Sequence, residues 1–203
     1  MKVKISNSWL FPLRFIIYLA LAYVIWVFTA PVGTRILADI GGGIVLLLDR
    51  ADYTNDIKPY DEYIIIDHKH DGDDKPLTVE YRGFTFNLPF LVALIMMVPK
   101  VNYKLRFKIL IIGMVIIFPI QVFKFVVYIF NYYCQNIRRR SGAFIYPAYL
   151  HHTIGYVDKV MWRIDGQIIP VLIWGGLYYY YKWHNVFTKL RKAEPRLDSP
   201  DKK

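Results

Sequence analysis

Five polar side chains, Gln121, Lys124, Tyr128, Asn131 and Gln135, sit inside the apolar stretch FPIQVFKFVVYIFNYYCQ. Their spacings of 3, 4, 3 and 4 residues place all five on one face of a helix, with Val, Ile and Phe opposite. Hydrocarbon cannot satisfy such a stripe, so it must face a bundle interior or a wet cavity. It could bind a polar ligand there, or simply bond one helix to another. Pro119, just over a turn before Lys124, kinks the helix and leaves the carbonyl of Val115 without its usual donor.

Cys134 is the chain's one cysteine, which excludes an internal disulfide. Its thiolate could act as a nucleophile if His151 or His152 came near and Arg138 lowered its pKa, although packing is the commoner role for a lone cysteine among tyrosines. Arg138, Arg139 and Arg140 could hold lipid phosphates, an anionic glycan or a peptide carboxylate. His68 and His70 form an H-x-H pair in DHKHDGDD, but Lys69 breaks the calcium-loop pattern and no further zinc ligand has a clear spacing. The segment reads as a solvated hairpin tip, with no metal expected. No dinucleotide fingerprint, phosphate loop or haem-attachment motif occurs, so no cofactor is expected.

The elements that must carry these residues follow from the apolar runs. The chain has 203 residues, 55% hydrophobic and 17% aromatic, with a formal charge of +10. The basic residues collect at the ends of hydrophobic runs, which indicates membrane topology and not nucleic acid. The expected fold is an all-α polytopic membrane protein of about four spans, near 10–30, 86–99, 109–133 and 168–183. The N-terminal run is longer than a signal-peptide core and lacks a clean cleavage site, so it reads as an uncleaved span. Residues 36–49 carry Asp39, Asp49 and a glycine triplet, and read as a separate interfacial or packed helix.

Residues 51–85 read as a small extracytoplasmic β segment, with strands in EYIIID and LTVEYRGFTF joined by HDGDDKP. Residues 1–183 thus form a membrane domain and 184–203 a charged tail. The N-terminal tip, the loop bearing Lys100, Lys104, Arg106 and Lys108, and the tail are strongly basic, whereas residues 31–85 are richer in acids. That asymmetry puts both termini in the cytoplasm of a multi-pass inner-membrane protein, with 134–166 outside despite its arginines.

This order of features resembles the exosortase/archaeosortase family, especially its short members with a four-span core. The resemblance rests on ALIMMVPKVNYKLRFKILIIGMVIIF, on QVFKFVVYIF and on YPAYLHHTIGYV, and runs along most of the chain before the charged tail. It implies an outward-facing site of cysteine, arginine and histidine that performs transpeptidation on exported proteins. In that register the arginine falls on Lys124 and the histidine on His151 or His152. The cysteine would fall near Arg82, in EYRGFTFN, where none exists. Lysine lacks the guanidinium's bidentate fork, and Thr85 has no evident base.

The expected function is therefore binding or scaffolding in an envelope export or surface-assembly complex. A non-catalytic polar pocket would be lined by Arg82, Lys124, His151 and His152. Partners would be membrane lipids and other membrane or exported proteins. The alternatives are an active cysteine transpeptidase using Cys134, and a structural accessory subunit without a ligand pocket.

Overall fold

The computed structural model describes residues 10–49, 54–68, 76–98, 101–141 and 147–193. Helix α1 (Leu10–Leu48) is followed by strands β1 (Thr54–Tyr60), β2 (Tyr63–His68) and β3 (Leu77–Glu80). Then come α2 (Tyr81–Thr85), α3 (Asn87–Met97), α4 (Tyr103–Ser141), α5 (Ala148–Asp165) and α6 (Ile168–Ala193).

Two helices among the described residues, α1 and α4, are long and apolar enough to cross a membrane. Each has 39 residues, about 58 Å at about 1.5 Å per residue, which exceeds a hydrocarbon layer of about 30 Å. Each is thus longer than such a layer is thick, and the sheet packs against both, through Ile57 on Gly42 of α1 and through the cluster that holds Phe125 of α4.

The expected break between a first span and a separate helix at 36–49 is corrected here: α1 runs through both, with Pro31 inside it. In a helix every backbone group that lipid cannot satisfy finds an internal partner, which favours continuity past one proline. The glycine triplet serves close approach. A Cβ on Gly41 would lie 2.6 Å from Phe125 Cδ1, and one on Gly42 would lie 3.1 Å from Ile57 Cγ2. These glycines let α1 lie directly on α4 and β1.

The outer segment is a three-stranded antiparallel meander in the order β1-β2-β3, one strand more than expected. The additional strand, β1, is an edge strand, where Pro59 lacks a donor at little cost. A two-residue turn joins Tyr60 to Tyr63, with Asp61 at φ 53°. Alternation then buries Ile64, Ile66, Leu77 and Val79 on one face. EYRGFTF, expected as strand, instead turns helical at Tyr81, where backbone pairing with the sheet ends in the bond from Tyr81 N–H to the Glu62 carbonyl. The turn residues 69–75 and the tail beyond Ala193 lie outside the described residues.

Two hydrophobic clusters result. One joins α1, the sheet and α2 to Val122, Phe125, Val126, Ile129 and Tyr133 on the C-terminal half of α4. The other joins Leu91 and Ile95 of α3 to Ile109 and Ile117 of α4, with α6 packed against them. Helix α4 begins at Tyr103, six residues before the expected boundary, because Arg106 has structural work at that end. Its guanidinium donates to the Met96 carbonyl at 2.7 Å and the Val98 carbonyl at 2.6 Å, satisfying the C-terminus of α3. At the far end α6 continues to Ala193, into the stretch expected as tail.

Candidate functional site

The polar stripe of α4 lies inside the protein from Gln121 to Asn131, and Gln135 at its end is exposed. Gln121, Lys124 and Asn131 are all buried, with Lys124 only 3% exposed. Lys124 Nζ donates to Asp165 Oδ2 at 2.6 Å and lies 3.5 Å from the Phe84 carbonyl. The ammonium sits 4.0 Å from the Trp162 ring centroid and 5.1 Å from that of Phe84. A carboxylate on one side and π faces on others replace the water that Lys124 loses.

The network continues past this pair. Asp165 Oδ1 accepts a bond from Asn87 Nδ2, and Asn87 Oδ1 accepts one from Gln121 Nε2. Four buried side chains from α3, α4 and α5 are thus joined. Two of them, Asn87 and Asp165, stand where helices start or stop: Asn87 opens α3 beyond Phe86, and Asp165 closes α5 before Gly166 and Gln167. Two interrupted helices therefore meet the uninterrupted α4 at Gln121 and Lys124.

Helix α5 carries a second stripe that matches the first. Asp165 faces Lys124, Trp162 packs on Tyr128 with centroids 6.4 Å apart, and Asp158 Oδ2 accepts from Asn131 Nδ2 at 2.8 Å. A Cβ on Gly155 would lie 3.4 Å from Asn131 Oδ1, so glycine allows α5 to approach there. Asp158, Trp162 and Asp165 recur at i, i+4 and i+7, so the two helices run antiparallel with their polar faces together. Burial pushes the Asp158 carboxyl above the ordinary aspartate range, while hydrogen bonds from Asn131 and Trp162 and the charge of Lys124 pull it back.

Beside Lys124 opens a cavity of about 460 Å³, with Arg82, Glu80, Asp165, Trp26, Phe86 and Trp162 among its lining residues. Arg82 is paired with Glu62 in the β1–β2 turn, at 35% and 18% side-chain exposure. Arg82 and Lys124 thus line one cavity. The two histidines do not join them. His151 lies fourteen residues before Asp165 on α5, about 21 Å along the axis, and neither His151 nor His152 lines the cavity. Helix α5 runs along α4 and carries its N-terminal histidines away from Lys124.

A model of the exosortase H-associated membrane protein family matches residues 6–179. The chain belongs to that family. It is thus a membrane protein tied to exosortase-dependent sorting, which is consistent with an exosortase-related protein, although the matched family is an exosortase-associated one and not the exosortase family that the sequence resembled. No curated protein and no solved structure matches the chain.

Within this exosortase H-associated protein the remaining candidates are scattered. Cys134 is 2% exposed and ten residues beyond Lys124, about 15 Å along α4. Tyr128 packs between Phe84 and Trp162. Gln135 Nε2 donates to Asn131 Oδ1 at 3.0 Å. Thr85, weighed as a nucleophile, accepts from Trp26 Nε1 at 3.1 Å and donates to the Tyr81 carbonyl. His70 and the side chains of Arg138, Arg139 and Arg140 lie outside the described residues. Among the described residues no group of three or more His, Cys, Asp or Glu is placed to hold a metal.

Sequence reasoning missed Asn87, Asp158, Trp162 and Asp165. The signal was available for three of them, in the i, i+4, i+7 spacing of DKVMWRID. Asn87 gave no such signal, because its role depends on where α3 starts.

Proposed function

We propose that this chain is a non-catalytic partner of an exosortase, holding an outward-facing polar pocket beside the sorting machinery of the inner membrane. The observation that supports this best is that the buried polar side chains around Lys124 bond to one another. Lys124 is committed to Asp165, Asp165 to Asn87, and Asn87 to Gln121. Such a network fixes helix positions, and among the described residues lining the cavity there is no nucleophile–base pair. The family description, exosortase H-associated, supports a role next to an exosortase.

In this reading four spans traverse the membrane and both termini are cytoplasmic. The sheet then stands outside, over the cavity lined by Arg82 and Lys124. Arg82 would present the pocket to a partner or exported chain, and Lys124 would hold its floor. The buried position of Cys134 gives the cysteine-transpeptidase alternative less support.

The test is co-expression of the tagged chain with the exosortase from the same genome, followed by purification in mild detergent. A fixed stoichiometric complex is expected, and Cys134→Ala should leave both complex and substrate processing intact. Loss of processing in a well-folded Cys134→Ala variant would replace this reading with the enzymatic one. Recovery of the chain without the exosortase would remove the partner reading.

A further inference from the structure

Strand β3 is an edge of the sheet, with β2 its only strand neighbour among the described residues. The register tells which of its backbone groups are open. Tyr63 pairs with Glu80, Ile64 with Val79, Ile65 with Thr78 and Ile66 with Leu77. One place further on, Tyr81 N–H donates to the Glu62 carbonyl at 2.9 Å. Hydrogen-bonded pairs alternate with non-bonded ones along an antiparallel ladder. Counting back from Tyr81, Val79 and Leu77 therefore direct their backbone groups at β2, and Thr78 and Glu80 turn theirs the other way. The Glu80 carbonyl, at the N-cap of α2, serves the first turn of that helix. Thr78 N–H, Thr78 C=O and Glu80 N–H are left on the open edge, and among the described residues they have no partner.

The two edges of the sheet differ. Strand β1 carries Pro59 and a register shift between Thr54 and Asp56, devices that spoil an edge for further pairing. Strand β3 has neither, and its ladder with β2 is regular. Its side chains alternate, with Leu77 and Val79 buried and Thr78 and Glu80 exposed. A guest residue opposite Thr78 or Glu80 therefore sets its side chain beside theirs on the exposed face. The charge it meets there is Glu80. Arg82 and Lys124 of the adjoining polar cavity already have acidic partners in Glu62 and Asp165, whereas Glu80, which also lines that cavity, has no cation among the described residues. Its side chain makes no capping bond to α2 either.

We infer that β3 accepts an extended peptide as a fourth, antiparallel strand, with a lysine or arginine of the peptide opposite Glu80. Its backbone exchanges two bonds with Thr78 and accepts a third from Glu80 N–H, so the main chain supplies affinity and the pair with Glu80 supplies preference. Running antiparallel, the peptide brings its N-terminal end past Glu80 to the polar cavity. The inference names the class of chain that the proposed pocket takes, and it rests on that reading for the place of the sheet outside the membrane. Binding is nevertheless measured on this chain alone, so the edge and the partnership with an exosortase can fail separately.

The test is an amide-resonance titration of the isotope-labelled full-length chain in phosphatidylcholine nanodiscs with the peptide acetyl-Thr-Lys-Val-Thr-Val-amide. The Thr78 and Glu80 amides should shift and gain protection from exchange, while those of Leu77 and Val79, already bonded to β2, should change little. N-methylating the second threonine of the peptide, whose N–H donates to Thr78, should weaken binding about tenfold. N-methylating the valine before it, whose N–H points away, should not. Glutamate in place of the lysine should weaken binding about fivefold, and Glu80→Lys should reverse that preference. Thr78→Pro removes an outward N–H and leaves the β2 ladder intact, so it should abolish binding with the unfolding temperature close to the parent's. Equal binding of the two N-methylated peptides, or no response at Thr78 and Glu80, would overturn the inference. So would a chain that is dimeric by light scattering with its Thr78 amide protected before peptide is added, which would give the edge to a second copy.

Discussion

Lys124–Asp165 and Arg82–Glu62 both stand at the polar cavity, but the first pair is 3% and 2% exposed and the second 35% and 18%. In water-accessible surroundings a pair gains little, because solvent already stabilises each charge and screens their attraction. Once buried, the same chemistry becomes a constraint: each charge is costly without the other, though the pair gives little net stability over apolar residues. The buried pair therefore dictates where α5 must stop against α4. The half-buried pair, by contrast, only tethers α2 to the β1–β2 turn. One fixes the fold, and the other is free to serve the pocket.

The largest expected effect comes from breaking the buried pair. Asp165→Ala should destabilise the chain by about 3–5 kcal/mol, because it strands the Lys124 ammonium in a dry site. Unfolding in detergent followed by circular dichroism would read this. Lys124→Met combined with Asp165→Leu should recover most of the loss, and failure to do so would mean that the pair contributes more than mutual compensation. Next is Gly41→Val, which drives a side chain towards Phe125 where a Cβ alone would come within 2.6 Å. The expected cost is about 1–3 kcal/mol, in the same assay. Arg82→Gln should cost less, at most about 1 kcal/mol, while weakening exosortase co-purification under the proposed function. A loss as large as that of Asp165→Ala would erase the distinction between the pairs.

The smallest effect concerns Asp158 on α5, which is not one of the two helices long and apolar enough to cross a membrane. Burial raises its carboxyl above the ordinary aspartate range, so the folded chain holds this proton to higher pH than the unfolded chain. The associated stability is present in full below the unfolded value and is lost as pH rises through the folded one. Asp158→Asn should therefore be slightly more stable than the parent at pH 7. The advantage should vanish below about pH 4, where both states of the parent are protonated. Unfolding temperatures of the two proteins across that range would show the convergence.

Much of the α4 site could be read directly from the chain. Gln121, Lys124, Tyr128 and Asn131 share a face because helical periodicity is local, and lipid's inability to hold them forces that face inward. A connection to exosortases was legible in the order of features along the chain. The histidines were misplaced because their distance from Lys124 depends on the antiparallel run of α5, which spacing to the preceding span does not encode. The glycine triplet was misread because its meaning, room for Phe125 and Ile57, lies on other elements.

By itself the sequence determined that the C-terminal half of α4 carries a polar face that must be sheltered, and that apolar helices surround it. Periodicity and the cost of polar groups in hydrocarbon are enough for that. Only the tertiary structure decided what the face meets. Asp165 and Asn87 come from the ends of two other helices, and a buried lysine's role is set by whichever acceptor the fold brings within hydrogen-bond reach.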